Sequence, residues 1–226
     1  MCGRYTLSNP EQLALRFDLA EAIVEARYNI APTQQVPVIV ASPGGRVLRH
    51  MRWGFRPAWA ASTPGRPTPI NARAEGLRER PFFRGALARH RCLIPADGFF
   101  EWQIQPDRQD KQPIYIRLRD GELVAFAGLY AEERDDRGTG AATCAIITTA
   151  PNSLMAPIHN RMPAILDPAD EALWLDPEVS QPDAVLGCLH PYPNDALVAY
   201  PVPLAVSNPR HEGPHLISPL HDALAA

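Results

Sequence analysis

The sequence predicts an α+β fold, one domain spanning residues 1–226 around a central, mainly antiparallel β-sheet. Three observations carry this. The 226 residues with 46% hydrophobic content are ordinary for one large domain with a sizeable core. The strand-like segments are spread along the chain rather than grouped. No internal repeat or low-complexity linker divides it.

Ser8-Asn9-Pro10-Glu11 reads as a helix start, with Ser8 as cap and Glu11 completing a capping box, for a helix to about Phe17. Tyr28 to Thr33 is extended or turning. Val36 to Ala41 and Val47 to Trp53 form a hairpin around Pro43-Gly44-Gly45. A long Pro-, Gly- and Thr-rich loop follows Trp59 and ends at Ile70. Phe82 to Arg89 reads as helix, Arg91 to Ile94 and Gly98 to Gln103 as strands. Ile114 to Arg119 alternates apolar and polar and is predicted to form a hairpin through Asp120-Gly121 with Leu123 to Ala131. Thr143 to Thr149 is a β-branched strand, Pro151 to Pro157 a short helix, and Met162 to Leu166 a strand. Helices are expected at Pro168 to Trp174 and Pro182 to His190, with a last strand from Leu197 to Val202.

The net charge of −3 provides no general attraction to nucleic acid. Seven arginines from Arg66 to Arg91 against Glu75 and Glu79 make that stretch +5, leaving −8 for the remainder. It is either a phosphate-facing strip or a solvated helix face. Lys111, the sole lysine, sits in the polar run Gln109-Asp110-Lys111-Gln112, which argues against a Schiff-base lysine. Cys2, Cys92, Cys144 and Cys188 form no CxxC pair and no zinc spacing, so no metal or cofactor is expected. The last three lie among apolar neighbours and read as core. No signal-peptide core is present, and the longest apolar run, Leu123 to Ala131, is too short for a bilayer. A reduced, cytoplasmic protein follows.

Met1-Cys2-Gly3-Arg4 sets the chemistry. Methionine is trimmed before a small second residue, which leaves Cys2 with an amine and a thiol on adjacent carbons. An aldehyde forms an imine with the amine, and the thiol then closes a five-membered thiazolidine. The α-amine, with an ordinary pKa of about 7.7–8.0 against about 10.4 for lysine, is roughly a quarter neutral near pH 7.4. Other segments supply candidate partners, each with a plainer reading beside it. Glu101, between Phe100 and Trp102, suits proton exchange near neutrality or is a salt-bridged strand glutamate. Pro157-Ile158-His159-Asn160-Arg161-Met162-Pro163 offers an acid or base and a phosphate clamp, or a hydrogen-bonded loop. Asn71 positions a ligand or caps a helix.

Met1-Cys2-Gly3-Arg4-Tyr5, Asn71-Ala72-Arg73-Ala74-Glu75, Arg91 through Trp102 and His159-Asn160-Arg161-Met162-Pro163 together resemble the SRAP family, named for SOS-response-associated peptidase. The resemblance runs from residue 2 to Val206-Ser207-Asn208-Pro209. It implies a barrel-like core flanked by helices, and capture of abasic sites in single-stranded DNA as a thiazolidine crosslink. Cys2 is then the nucleophile, with Asn71, Glu101 and His159 as active-site companions. Arg4, Trp53, Trp59, Arg73, Trp102 and Arg161 are assigned to DNA by stacking and phosphate contact, with a core role equally open for Trp53, while Trp174 on its amphipathic helix reads as core. The resemblance also implies a preference for single-strand/duplex junctions, a nucleoid-associated monomer, and associated lyase or autopeptidase activity. Phe100 and Gln103 depart from the family's usual tyrosine and basic residue. Two rivals stand beside this reading. One is a thiol peptidase built on Cys2 and His159, for which the single residue before Cys2 leaves no propeptide to cleave; the other is a non-covalent single-strand binder.

Overall fold

The computed structural model describes residues 2–60, 68–106, 110–134 and 140–220. The trimming of Met1, residues 61–67 of the Pro- and Gly-rich loop with Arg66, and Gln109 beside Lys111 lie outside the described residues. Strands β3 (Gln35–Ser42) and β4 (Gly45–Trp53) form the expected hairpin, Ser42 facing Gly45. Gly45, at φ +120°, takes a backbone shape that a side chain would strain. β3 pairs with β6 (Arg91–Ala96), β6 with β9 (Val124–Arg134), and β9 with β10 (Gly140–Thr149), all antiparallel. β10 then returns to β4 in parallel, Cys144 beside Trp53. The five ladders make a closed ring, so this barrel keeps no open edge. Two short strands extend from β10: β5 (Asn71–Arg73), parallel, and β11 (Met162–Pro163), antiparallel.

A second, wholly antiparallel sheet runs β12 (Leu197–Pro201), β8 (Gln112–Leu118), β7 (Gly98–Gln103), β1 (Tyr5–Leu7), β2 (Arg27–Ile30). Only Asp97 separates β6 from β7, so one extended segment leaves the barrel wall and enters this sheet. Alternation along β7 sends Phe99 to the main core and Phe100 to a second cluster with Tyr115, Tyr200, Val202, Val206 and Leu216. Helices are few and short: α1 (Leu13–Phe17), α2 (Pro81–Arg89), α3 (Glu171–Leu175) and α4 (Pro182–Leu186). Glu171, almost fully enclosed, ties α3 to Arg16 of α1 at 2.6 Å and Arg46 of β4 at 2.9 Å. No helix among the described residues is long and apolar enough to cross a membrane.

The α+β class and antiparallel character hold, and several local expectations do not. Ser8 caps nothing; its N–H and hydroxyl both donate to Asp97, and the helical segment opens with a 3-10 turn at Pro10–Gln12. The turn at Asp120-Gly121 forms, with Gly121 N–H donating to Leu118 O at 3.2 Å, yet it joins the two sheets instead of closing a hairpin. Leu123–Ala131 is a barrel strand with both flanks already occupied, by β6 and β10, which leaves no side for β8. Residues 153–158 make successive turns rather than a helix. The helices expected at Pro168 to Trp174 and Pro182 to His190 shorten to α3 and α4, although Trp174 is core as expected. Arg91 leaves the basic strip altogether, buried with its guanidinium donating to the carbonyls of Leu87, Ala88, Trp174 and Asp176.

Gly98 is required where the two sheets meet, since a Cβ there would lie 2.3 Å from Tyr115 Oη, a ring held on both sides. Gly98→Ala should cost about 2–3 kcal/mol and lower Tm by about 5–10 °C; calorimetry showing an unchanged Tm would refute that packing.

Candidate active site

The site is built on the tied-down N-terminal segment. Asp97 is buried at the β6–β7 junction and accepts four hydrogen bonds from it. Thr6 Oγ1 donates to Oδ1; Ser8 N–H, Ser8 Oγ at 2.7 Å and Asn9 N–H at 3.0 Å donate to Oδ2. Tyr115 Oη lies 2.8 Å from Thr6 Oγ1 and completes the network. β1 pairs with β7 in the register Tyr5 to Phe99 and Thr6 to Gly98, and Phe100 N–H donates to Arg4 O at 3.0 Å. Continued toward the terminus, that register puts Gly3 across from Glu101. Cys2 follows, its side chain fully enclosed.

Three further segments meet it there. β5 presents Asn71, whose Nδ2 donates to Cys2 O at 2.8 Å; its Oδ1 is buried and has no partner among the described residues. Asn71 therefore lies in a strand and caps no helix. β7 presents Glu101, 3% exposed, whose carboxyl burial raises to about 7. The turn after Met155 presents His159, with Nε2 3.9 Å from Glu101 Oε2. His159 Nδ1 is held by the Arg161 backbone, 3.1 Å from its N–H and 3.3 Å from its carbonyl oxygen, so Nε2 is the ring nitrogen that faces the carboxyl. Burial lowers the His159 pKa from its ordinary value. Burial first, and then the charge of Glu101, push the Cys2 thiol well up. Near neutral pH the site therefore holds a protonated thiol, a neutral imidazole and a carboxyl poised to gain or lose a proton. Among the described residues no three His, Cys, Asp or Glu side chains could hold a metal ion.

The six residues assigned to DNA fall into different places. Trp53 is fully buried, its Nε1 donating to Ile70 O at 2.8 Å and its ring edge-on to Tyr5; a base cannot reach it, and the stacking assignment is corrected to a core role. Arg161 is committed internally, forked onto Glu75 at 2.7 and 2.9 Å and donating to Thr148 O. Arg4 is half-buried, its Nη1 donating to Asn29 Oδ1 and Val206 O, each at 2.7 Å, with its guanidinium over the Trp102 ring. Trp102 is partly exposed, and its Nε1 donates to Ser207 Oγ at 3.0 Å. Arg73 is exposed at the end of β5. Trp59 is exposed but belongs to another aromatic cluster, edge-on to Phe82.

Sequence reasoning missed Asp97 and Asn29. Asn29 is fully buried and donates to the carbonyls of Asn208 and His211 while accepting from Arg4, so it joins the first residues to the C-terminal segment. The available signal was an aspartate within an apolar strand run, Ile94-Pro95-Ala96-Asp97-Gly98-Phe99, where an unpartnered charge would be costly.

A family model described as SOS response associated peptidase (SRAP) matches residues 1–209. Abasic site processing protein YoqW of Bacillus subtilis is 41% identical over 222 residues, covering 96% of this chain and 99% of that protein. Abasic site processing protein YedK of Escherichia coli is 30% identical over 232 residues, covering 97% and 100%. A crystal structure of a protein from Bacteroides thetaiotaomicron matches with a TM-score of 0.85 at 28% identity, over 97% of this chain and 100% of that one.

The Glu101 carboxyl, at about 7 when folded and about 4.3 unfolded, makes the folded state bind an extra proton between those values. Its stabilising contribution is full below about pH 4.3 and is lost as pH rises through 7. Glu101→Gln removes this slope. Urea melts from pH 4 to pH 8 should show the variant gaining on the wild type by about 3 kcal/mol; parallel curves would contradict the raised pKa.

Proposed function

Since the chain belongs to the SOS response associated peptidase (SRAP) family, we propose that it processes abasic sites in DNA, capturing the sugar aldehyde of single-stranded DNA as a thiazolidine on Cys2 once Met1 is removed. The observation that carries this is the convergence of Asn71, Glu101 and His159, from three separate segments, on a nucleophile at the second residue. The relatives' names, abasic site processing protein, support the same substrate.

An abasic deoxyribose is mostly a closed hemiacetal. Glu101, near its midpoint at neutral pH, is suited to open it, protonating the ring oxygen while a proton leaves the hydroxyl. The Cys2 amine attacks the aldehyde carbon, and the carbinolamine loses water with a proton from Glu101 or His159. The thiol sulfur then bonds to the imine carbon and its proton passes to the nitrogen. One C–N and one C–S bond form, and one water leaves. Asn71 holds the Cys2 carbonyl, and its free Oδ1 is an acceptor for the amine or a sugar hydroxyl. Arg73, Arg4 and Trp102 serve the flanking phosphates and bases.

A thiol peptidase needs a thiolate, which such sites obtain by lowering the cysteine pKa. Here burial and Glu101 act in the opposite sense. The thiazolidine route has no such need, because the amine attacks first and the neutral thiol follows.

Intact mass spectrometry of the protein mixed with a single-stranded oligonucleotide carrying one abasic site should show a one-to-one adduct less one water, on protein lacking Met1. Cys2→Ala should abolish the thiazolidine, whereas Glu101→Gln should slow its formation by about 10²–10⁴-fold. Absence of adduct on Met1-free protein, or an equally stable adduct from Cys2→Ala, would sink the proposal.

A further inference from the structure

We infer that Glu75 is a positioning residue for His159, acting through Arg161. The inference rests on the abasic-site reading above and extends it to a residue outside the reacting set. Glu75 lies in the helical turn Ala74–Gly76, directly after the strand that carries Asn71. Its two carboxylate oxygens take the Arg161 fork at 2.7 and 2.9 Å, a bidentate pair that fixes orientation as well as distance. The Arg161 side chain is 12% exposed and also donates to Thr148 O and, at 3.4 Å, Thr148 Oγ1 on β10. One guanidinium thereby locks three segments together: the turn after β5, strand β10, and the loop that holds His159.

The lock reaches the imidazole through the backbone of the same arginine, whose N–H donates to His159 Nδ1 at 3.1 Å. The Arg161 carbonyl lies 3.3 Å from the same nitrogen, so this one backbone unit fixes Nδ1, and Nε2 is left facing Glu101 Oε2. Without the fork, Arg161 keeps only the carbonyl and hydroxyl of Thr148, and a charged guanidinium released from its partner turns toward solvent. The Arg161 backbone then loses its fixed direction, and the ring loses its single orientation and tautomer. Glu75 is more than half exposed and remote from the core, so replacing it removes the lock without opening a cavity.

Two arms test this on the full chain. Nitrogen chemical shifts of His159 should report a single tautomer in the wild type and a mixture in Glu75→Gln, with Glu75→Asp, which keeps the charge, restoring the wild-type pattern. In single-turnover reactions with abasic single-stranded DNA, Glu75→Gln should lower the crosslinking rate at saturating DNA by about 10-fold, a fraction of a full proton-transfer contribution. The half-saturating DNA concentration should stay unchanged, and Glu75→Asp should recover the rate. Unchanged His159 shifts in Glu75→Gln, or weaker half-saturation at an unaltered maximal rate, would overturn the inference. If Glu75→Gln fails to fold, Arg161→Lys, which keeps the charge and loses the fork, should give the same His159 signature; wild-type shifts there overturn it equally. A wild type that forms no Cys2-dependent adduct would refute the abasic-site reading instead, and the nitrogen shifts would still decide what Glu75 does to the ring.

Discussion

The buried carboxylate of Asp97 is the constraint on which the rest of the site depends. A chain terminus is ordinarily the least ordered part of a domain, and each residue held in one conformation costs about 1–2 kcal/mol of entropy. Asp97 meets that cost with four hydrogen bonds to Thr6, Ser8 and Asn9, and charge-assisted bonds of this kind are about twice as strong as neutral ones. It sits where one extended segment passes from barrel to sheet, so the same residue that turns the chain between the two layers also fastens the first strand across them. Arg4 and Asn29 add a second fastening toward residues 206–211. Between these ties Cys2 is held against Asn71, and its distance from Glu101 follows from a β-ladder rather than from a flexible tail.

Enclosure then decides which protonation states are present. Taking ionisable groups out of water disfavours their charged forms, and all three titratable groups at the site shift in that sense: thiol up, carboxyl up, imidazole down. A collection of neutral donors and acceptors suits condensation with an aldehyde, in which protons are moved repeatedly and no lasting ion is formed. Beside them, the Arg161 fork is taken up by Glu75 and Thr148.

Local signals in the sequence were reliable where local chemistry decides the outcome. Pro43-Gly44-Gly45 between two strand-like runs specifies β3 and β4, and the strand Gly98 to Gln103 matches β7 to the residue. They failed where a distant partner won. Ser8 had the composition of a helix cap, but Asp97, far along the chain, took both its N–H and its hydroxyl. Asp120-Gly121 had the chemistry of a hairpin and made its turn, yet the strand that follows was claimed on both flanks by the barrel. By residue type Trp53 is a stacking surface or a core ring, and Arg161 a phosphate clamp. Burial and a fork onto Glu75 are properties of the folded arrangement, and no spacing in the sequence encodes them. Cys2, Asn71, Glu101 and His159 are each ambiguous alone and legible as a set only through the resemblance to the family; that Asn71 touches the Cys2 carbonyl is not legible.

The enclosure of Cys2 has a bearing on survival under oxidative stress. Peroxide attacks thiolates that it can reach, and a thiol kept protonated and out of solvent reacts slowly. Oxidants that damage DNA are among the agents that strip bases from it, so on the proposed function the protein works in the presence of the reagent most apt to spoil its sulfur. Closing the first residues into the barrel-and-sheet junction shields that sulfur from such reagents.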